Sequence, residues 1–209
     1  MASQTDRPIL WFNNEEQGEK VMLRCIQAAL GVTQAELWHD MGTYKQQFYD
    51  VTGRNIKIID NASMHKSEVE RICKAYNPAL IIFDQIDKIK GFQADRTDLE
   101  LGSIYIWARE LAKQYAPVIA VTQASGEGEG TKWLHMGHVA NAKTAKQAEA
   151  DWIVGIGKSN DDGDGYSRYI NISKNKLQGD TDTIPDRRHG KFAVVIEPEI
   201  ARYSDISYG

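Results

Sequence analysis

The stretch Ala79-Leu80-Ile81-Ile82-Phe83-Asp84-Gln85 decides the fold that we expect for this chain. It is an unbroken apolar run of strand length that follows the helix-stopping pair Asn77-Pro78 and ends on a carboxylate. Such a run is typical of a parallel strand that helices cover on both faces. Ligands of open α/β sheets bind just beyond the carboxyl ends of the strands, so Asp84 is a candidate ligand-binding residue. The alternative is an Asp that only caps the following turn.

Length and charge set the first limits. The chain has 209 residues, of which 42% are hydrophobic, so we expect one domain with a substantial core. The net charge of −4 gives no overall positive field that would attract nucleic acid or a membrane. Any contact with nucleic acid must therefore come from local Lys and Arg side chains on particular loops.

The cysteines and the apolar segments bear on the compartment. Cys25 and Cys73 each fall on the apolar face of a predicted helix, outside any metal-binding spacing, and we interpret them as buried thiols. There is no stretch of about 18 apolar residues and no signal-peptide pattern at the N-terminus. We therefore expect a cytoplasmic protein without a membrane partner.

Hydrophobic periodicity predicts strands that alternate with helices in the first two thirds of the chain. The predicted strands are Ile9–Phe12, Asn55–Asp60, Ala79–Asp84, Val118–Thr122, Trp152–Ile156, Arg168–Ser173 and Lys191–Ile196. The predicted helices are one that ends at Gly31, one or two within residues 33–53, and then Ser67–Tyr76, Thr97–Tyr115 and Asn141–Ala150. Turn residues join the last strands, which favours hairpins there. The expected fold is α/β, a mainly parallel sheet flanked by helices, with antiparallel strands at its edge.

Polar residues follow three of the predicted strands at the same edge of the sheet. Glu15 and Glu16 come after the first strand, and either carboxylate could polarise an attacking water as a general base. Gln123 follows the fourth strand and could orient a water or contact a phosphate through its amide. The alternatives are a helix-capping turn for the glutamates and an ordinary strand-terminal polar residue for Gln123.

Two loops and one later helix carry basic or aromatic residues that could contact nucleic acid. The loop after Asp84 carries Lys88 and Lys90 with one aromatic candidate, Phe92, which we expect to be exposed. The glycine-rich stretch Ser125–Gly130 is expected to be a mobile loop, and it continues into further candidates. These are Lys132 and Trp133 within the continuing loop and, beyond it, Lys143 and Lys146 on the predicted helix Asn141–Ala150.

Lys174 and Lys176 project from one face of a strand, because side chains alternate with a period of two. They could reach a neighbouring molecule, or they could be solvent-exposed charges on an edge strand.

Three further motifs resemble known loops but lack a required part. Gly126–Lys132 and Gly155–Ser159 resemble fragments of the phosphate-binding motif GxxxxGK[ST]; Thr131 interrupts the first, and Trp152 replaces the leading glycine of the second. Asn160–Gly165 resembles the start of an EF-hand loop, but Asn171 stands where the bidentate Glu is needed. We interpret Asn160–Gly165 as a hairpin turn.

The ordered set of motifs resembles the RecA-like ATPases, and most closely the DnaB-type and phage replicative helicases. The resemblance covers about residues 7 to 203. It rests on Glu15 followed by Leu23-Arg24 and Gly31-Val32, on a Walker B-like strand Leu80–Asp84, on a sensor-like strand Val118–Gln123, and on Gln147–Val154 and Ile172–Gly179. Lys176 stands where these helicases carry an Arg, and the Lys-Asn-Lys form is more similar to the paired lysines of RecA.

This resemblance implies a single RecA-like ATPase domain over residues 1–209, of an ATP- and Mg²⁺-dependent helicase that acts on single-stranded DNA as a hexameric ring. It implies that Glu15, with Glu16 as the alternative, polarises the attacking water, that Asp84 holds Mg²⁺, and that Gln123 senses the γ-phosphate. It also implies that Lys174 and Lys176 act in a neighbouring subunit, and that the loops at Lys88–Phe92 and Gly126–His138 grip DNA.

One expected part is absent from the 209 residues, because no stretch supplies the Walker A strand, loop and helix. We therefore expect an N-terminally incomplete domain, in which a separate segment bears the phosphate-binding loop. Two alternatives remain open at this stage: a RecA-type recombinase, and a non-enzymatic DNA-binding or structural subunit.

Overall fold

The computed structural model describes residues 2–140, 143–176 and 189–206. A four-stranded sheet, in which all neighbouring strands are parallel, occupies the first part of the chain. Its strands are β1 (Ile9–Asn13), β2 (Ile56–Asp60), β3 (Leu80–Asp84) and β4 (Val118–Ala120). The spatial order is β2-β1-β3-β4, so the two strands that end on Asn13 and Asp84 lie at the centre.

The helices begin and end close to their expected positions. They are α1 (Gly18–Leu30), α2 (Gln34–His39), α3 (Met41–Thr52), α4 (Lys66–Tyr76), α5 (Thr97–Gln114) and α6 (Lys143–Glu149). Helix α1 ends because Gly31 adopts the left-handed conformation, with φ of 70°, and its N–H donates to the Gln27 carbonyl oxygen. The region 33–53 forms two helices, and a capping box at Thr33 and Glu36 starts the first of them.

The core beside the parallel sheet is built from aromatic and aliphatic side chains. Phe12 of β1 stacks on Phe83 of β3 with ring centroids 5.2 Å apart, and Phe83 contacts Trp107 of α5 at 5.6 Å. Leu10 and Ile81 are fully buried on the same central strands. Burying such side chains contributes roughly 1.5–3 kcal/mol each. The prediction that the apolar run around Phe83 is a buried parallel strand is thus confirmed.

A second four-stranded sheet forms in the last third of the chain. Its strands are β5 (Trp152–Gly157), β6 (Ser167–Asn175), β7 (Lys191–Glu197) and β8 (Arg202–Asp205), in that order. The pairs β5–β6 and β6–β7 are antiparallel, and residues 160–165 form the turn between β5 and β6. The predicted hairpin is confirmed, but these strands form a sheet of their own instead of an edge of the parallel sheet.

The chain divides into two compact units. The first comprises residues 1–96, 106–122 and 198–202, and the second comprises residues 97–105, 123–197 and 203–209. The single domain expected over residues 1–209 remains a prediction. None of the helices that the structure describes has the length and apolar character needed to span a bilayer.

Several boundaries differ from expectation. Strand β4 ends at Ala120, two residues before the predicted end, although the Val121 N–H still donates to the Phe83 carbonyl oxygen at 3.0 Å. Strand β8 is absent from the predicted set, because its four residues are too short for a clear periodicity. Of the predicted helix 141–150, Asn141 and Ala142 lie outside the described residues, as do residues 177–179 of the last family-like motif.

Candidate active site and loops

The candidate site of the first unit lies where three parallel strands end in register. Asn13, the last residue of β1, lies opposite Asp60 at the end of β2 and opposite Asp84 at the end of β3. Parallel pairing therefore brings two carboxylates to either side of a buried amide at the carboxyl edge of the sheet. The sequence predicted Asp84 at this edge but missed the parts played by Asn13 and Asp60.

Asp60 and Asn13 fix the loop that carries the two glutamates. The Asp60 carboxylate accepts a hydrogen bond from the Gly18 N–H at the start of α1, at 2.6 Å. Asn13 Nδ2 donates to the Glu16 carbonyl oxygen at 2.5 Å and contacts Asp60 Oδ1 at 3.3 Å. Glu15 and Glu16 thus stand on a turn whose two ends are tied to the sheet edge. The strand ending on Asp60 was the sequence signal that could have identified this support.

A second link joins the turn after β1 to the turn after β3. Asn14 Oδ1 accepts from the Gln85 N–H at 2.5 Å, and Asn14 Nδ2 donates to the Gln85 carbonyl oxygen at 2.8 Å. The Asn14 N–H also donates to the Asp84 carbonyl oxygen at 2.8 Å. The peptide bond between Asp84 and Gln85 is cis. These contacts hold the glutamate turn beside Asp84, and nothing in the local sequence of Asn14 indicates its role.

The two glutamates point to different partners. Glu15 forms an ion pair with Lys88 in the turn after β3, whereas Glu16 forms one with Arg24 on α1. The hydrogen bond and charge of Arg24 lower the pKa of Glu16. Glu15 is therefore the glutamate that faces the loop after Asp84, and Glu16 is engaged by its own helix.

Asp84 is partly buried, and burial is the main cause that raises its pKa above the ordinary value of 3.8. The negative charge of Glu15 adds to this effect, and the charge of Arg24 opposes it. A carboxylate that is costly to ionise without a cation is a suitable ligand for Mg²⁺, which prefers oxygen donors. Within the described residues, no group of three or more His, Cys, Asp or Glu side chains is arranged to hold a metal by itself. Asp84 fits a Mg²⁺ that is also held by other ligands, such as phosphate oxygens.

The raised pKa gives a testable stability effect. We expect Asp84→Asn to raise the melting temperature at pH 7. The rise should stay below about 4 °C, because solvent partly screens the charge. A folded-state pKa above the unfolded value means that ionisation destabilises the fold, so the stabilisation by Asn should shrink as the pH falls towards 3.8. Thermal unfolding followed across this pH range checks the prediction.

The exposed residue Asp95 offers a matched control, Asp95→Asn. A stabilisation by Asp84→Asn that is the same at every pH would contradict the electrostatic explanation.

The loop after β3 is fixed along most of its length. Lys88 is ion-paired with Glu15. The Lys90 N–H donates to the Met64 carbonyl oxygen, and the Lys66 N–H, at the start of α4, donates to the Lys90 carbonyl oxygen. Phe92 packs against Trp107 with centroids 5.5 Å apart, and Lys66 Nζ lies 5.0 Å from the Phe92 ring centroid. Lys90 is exposed. Phe92 was expected to be exposed and is instead partly buried, because it packs against Trp107 of α5.

In the second unit, the candidates Lys132 and Trp133 belong to the preceding loop and contact the β5–β6 hairpin. Lys132 Nζ is ion-paired with Asp161 at 2.9 Å and Asp164 at 3.2 Å. The Trp133 and Tyr169 rings pack in a T-shaped arrangement with centroids 5.0 Å apart. The sequence predicted a mobile loop here, but the structure places its second half in defined contacts and forms a 3₁₀ turn at Gly126–Gly128. Gln123 begins this segment, and its carbonyl oxygen accepts from the Ala140 N–H at 3.1 Å.

Two glycines of β5 explain why this loop can approach the hairpin. A Cβ at Gly157 would collide with the carbonyl oxygens of Lys132 and Thr131, and one at Gly155 would lie 2.5 Å from the Leu134 carbonyl oxygen. Asn171 Nδ2 completes the contact by donating to that Leu134 oxygen at 2.8 Å. The glycines that resembled a phosphate-binding fragment therefore make room for a neighbouring backbone.

This close approach predicts a stability effect. We expect Gly157→Ala to destabilise the protein by about 1–3 kcal/mol, because the loop backbone must move to admit the methyl group. Urea unfolding of the variant checks this value. Gly165→Ala is the matched control, since a Cβ at Gly165 meets nothing within 4 Å. An equal effect of the two substitutions would contradict the steric explanation.

Three further lysines of the second unit contact a carbonyl oxygen or a ring. Lys174 donates to the Gln147 carbonyl oxygen, and Lys176 donates to that of Ala148 at 3.3 Å and lies 3.6 Å from Asp151. Both therefore lie at the C-terminal end of α6, where cations are favourable. Lys146 of α6 is only 2% exposed, with its ammonium 5.2 Å from the centre of the Tyr105 ring, whereas Lys143 begins the same helix. The predicted DNA contact by Lys146 would require it to leave this buried position.

The structure thus brings Glu15, Glu16, Asp84 and Lys88 together in the first unit. The second unit contains Gln123 with Lys132 and Trp133, and the three lysines at or near the C-terminal end of α6. Sequence reasoning missed Asn13, Asn14, Asp60 and Gln85, which support the carboxylates.

Comparison with known proteins finds no matching family model and no matching curated protein. Solved structures do match. One that is described as an ATPase domain aligns with a TM-score of 0.76 and 15% identity over 98% of this chain and 76% of that chain. A DnaB-like replicative helicase, described together with its interactions with primase, aligns with a TM-score of 0.70 and 15% identity over 98% of this chain. Our chain spans 52% of that helicase. The chain therefore has the RecA-like fold of DnaB-like helicase ATPase domains, and the predicted resemblance is confirmed at the level of the fold.

Proposed function

We propose that this chain is the motor domain of an ATP-dependent replicative DNA helicase of the phage type. It acts on single-stranded DNA as a hexameric ring. The observation that carries the proposal is the sheet edge at which Glu15 and Asp84 meet, in a fold shared with DnaB-like ATPase domains. Sheet topology alone is compatible with many activities, so the proposal depends on these residues as well as on the fold.

Each residue of the sheet edge has a role in this proposal. Glu15 orients and polarises the attacking water, because it faces the loop after Asp84 while Glu16 is held by Arg24. Asp84 holds Mg²⁺, which neutralises the charge of the phosphates when it is bound. Asn14 and Gln85 keep the two carboxylates at a fixed separation through their paired hydrogen bonds.

The residues of the second unit complete the proposed motor. Gln123 contacts the γ-phosphate and links it to the loop that follows. Lys174 and Lys176 reach the nucleotide of the neighbouring subunit in the ring, as an arginine finger does, after leaving the carbonyl oxygens of α6. Single-stranded DNA is bound by the two loops and by the start of α6, with Lys88, Lys90, Lys132 and Lys143 as phosphate contacts. Lys88 and Lys132 must first leave their carboxylate partners. Phe92, Trp133 and Lys146 join them only after rearrangement.

A phosphate-binding strand and loop must be supplied to this chain for activity. The outer edge of β4 is a suitable place for that strand, because β4 is the last strand on its side of the parallel sheet. Pro117 and Val121 bond to β3, so the alternate residues Val118 and Ala120 direct their backbone groups outward. Ile119 is 50% exposed there. We propose that a segment bearing GxxxxGK[ST] pairs with this edge, whether it belongs to the same polypeptide or to another.

The second candidate function is a RecA-type recombinase, which the sequence Lys174-Asn175-Lys176 favours. The two functions differ in their assembly on single-stranded DNA. Electron microscopy of the protein with DNA should show closed rings for a helicase and open filaments for a recombinase.

The test of the proposed function is to fuse a strand, GxxxxGK[ST] loop and helix to the N-terminus of the chain. We expect Mg²⁺-dependent ATP hydrolysis that single-stranded DNA stimulates, together with unwinding of a forked duplex. A fused protein that binds ATP but neither hydrolyses it nor unwinds DNA would contradict the proposal. It would favour the non-enzymatic alternative.

A further inference from the structure

The Lys132 ammonium is paired with acceptors on the β5–β6 hairpin. It is ion-paired with Asp161 and Asp164 and lies 5.4 Å from the centre of the Tyr169 ring. The Tyr169 hydroxyl donates to Asp164 Oδ2 at 2.7 Å, which fixes that carboxylate. One positive charge thus faces two negative charges, so the docked lysine presents no net positive charge to an approaching anion.

The backbone around Lys132 also packs closely against the β5–β6 hairpin. The carbonyl oxygens of Lys132 and Leu134 lie against Gly157 and Gly155, and Trp133 packs on Tyr169. Lys191 of β7 lies 5.6 Å from the Trp133 ring centroid. The loop therefore has a specific binding place on the hairpin, in which both of its nucleic-acid candidates are already engaged.

We propose that Asp161 and Asp164 are a carboxylate latch that competes with nucleic-acid phosphates for Lys132 and so lowers the affinity of this loop for single-stranded DNA. The proposal rests on the proposed function, because it assumes that the loop contacts DNA. Carboxylate and phosphate oxygens accept the same hydrogen bonds from an ammonium group, so they exclude each other at one lysine. The latch thereby sets how tightly the loop holds the strand.

The exposure of the pair determines the expected size of the effect. The Lys132 side chain is 40% exposed and that of Asp161 is 71% exposed, so their attraction is screened by water. Exposed ion pairs of this kind contribute modestly, and removing one competitor should tighten DNA binding by about threefold to fivefold.

The test uses the 209-residue chain and a fluorescently labelled oligothymidylate at low ionic strength, with binding followed by anisotropy. Asp161→Asn is expected to bind about threefold to fivefold more tightly than the unaltered chain. Asp162→Asn is the matched control, since it removes the same charge from the adjacent residue. Among the described residues, Lys132 is ion-paired with Asp161 and Asp164 but not with Asp162. We expect little change from Asp162→Asn.

A double-mutant cycle separates the latch from a general charge effect. On a Lys132→Ala background, Asp161→Asn should no longer tighten binding. Asp164→Asn is the second latch variant, and thermal unfolding shows whether each protein is folded. Equal gains from Asp161→Asn and Asp162→Asn, no gain from either latch variant, or a gain that persists without Lys132 would overturn the latch alone. Absence of DNA binding by all of the proteins would overturn the DNA-binding function itself.

Discussion

Glu15→Gln is expected to lower ATP turnover by about 10²–10⁴-fold in a protein that joins a phosphate-binding loop to these 209 residues. The amide keeps the shape of the side chain but cannot accept a proton from the attacking water. Nucleotide affinity should change little, because the phosphates are held by the added loop and by Mg²⁺. Steady-state phosphate release and equilibrium binding of ATP, measured on the same variant, separate the two effects.

Glu16→Gln is the matched control for this prediction. Glu16 is ion-paired with Arg24 on its own helix, so its loss should reduce turnover far less than the loss of Glu15. If Glu16→Gln caused the larger fall in turnover, the roles of the two glutamates would have to be exchanged. The ion pair between Glu15 and Lys88 would then be a structural contact instead of part of the catalytic arrangement.

The parallel sheet could be predicted from the sequence because its signals are local. The apolar runs that end at Asn13 and Asp84 have strand length and stop at turn residues, and Gly31 is the left-handed residue that a helix end requires. Residues at the ends of parallel strands share one edge, so the meeting of Glu15 and Asp84 followed from the order of the elements.

The supporting contacts could not be predicted in the same way. Asn14 and Gln85 are 71 positions apart, and their paired hydrogen bonds exist only after β1 and β3 have aligned. The burial of Phe92 depends on Trp107, and that of Lys146 involves Tyr105; both are tertiary contacts that no local pattern encodes. Gly155 and Gly157 likewise have their role only because another loop crosses them.

The shared fold and the ability to bind nucleotide phosphates are separate properties of such a domain. Hydrolysis requires phosphates that are fixed against backbone N–H groups and a lysine, with Mg²⁺ bridging the β- and γ-oxygens. In the proposed function, Glu15 and Asp84 of the first unit act on a nucleotide that is already held. The 209 residues contain no GxxxxGK[ST] motif, and the two glycine-rich fragments that resemble it have other roles. Gly157 accommodates a crossing backbone, and Lys132 is paired with Asp161 and Asp164.

The 209-residue chain by itself is therefore expected to bind Mg·ATP only feebly and not to hydrolyse it. Loss of several charge-assisted contacts, at roughly 1.5–3 kcal/mol each, weakens nucleotide binding by many powers of ten. Calorimetric titration with Mg·ATP should show no saturation at micromolar concentrations, and phosphate release should equal that of Glu15→Gln. Micromolar affinity with turnover that depends on Glu15 would contradict this expectation. It would mean that other residues of the chain build the phosphate site. Lys132 is the one lysine of Gly126–Lys132, and it could contact phosphate if it left Asp161 and Asp164. Lys132→Ala would therefore be the first variant to examine.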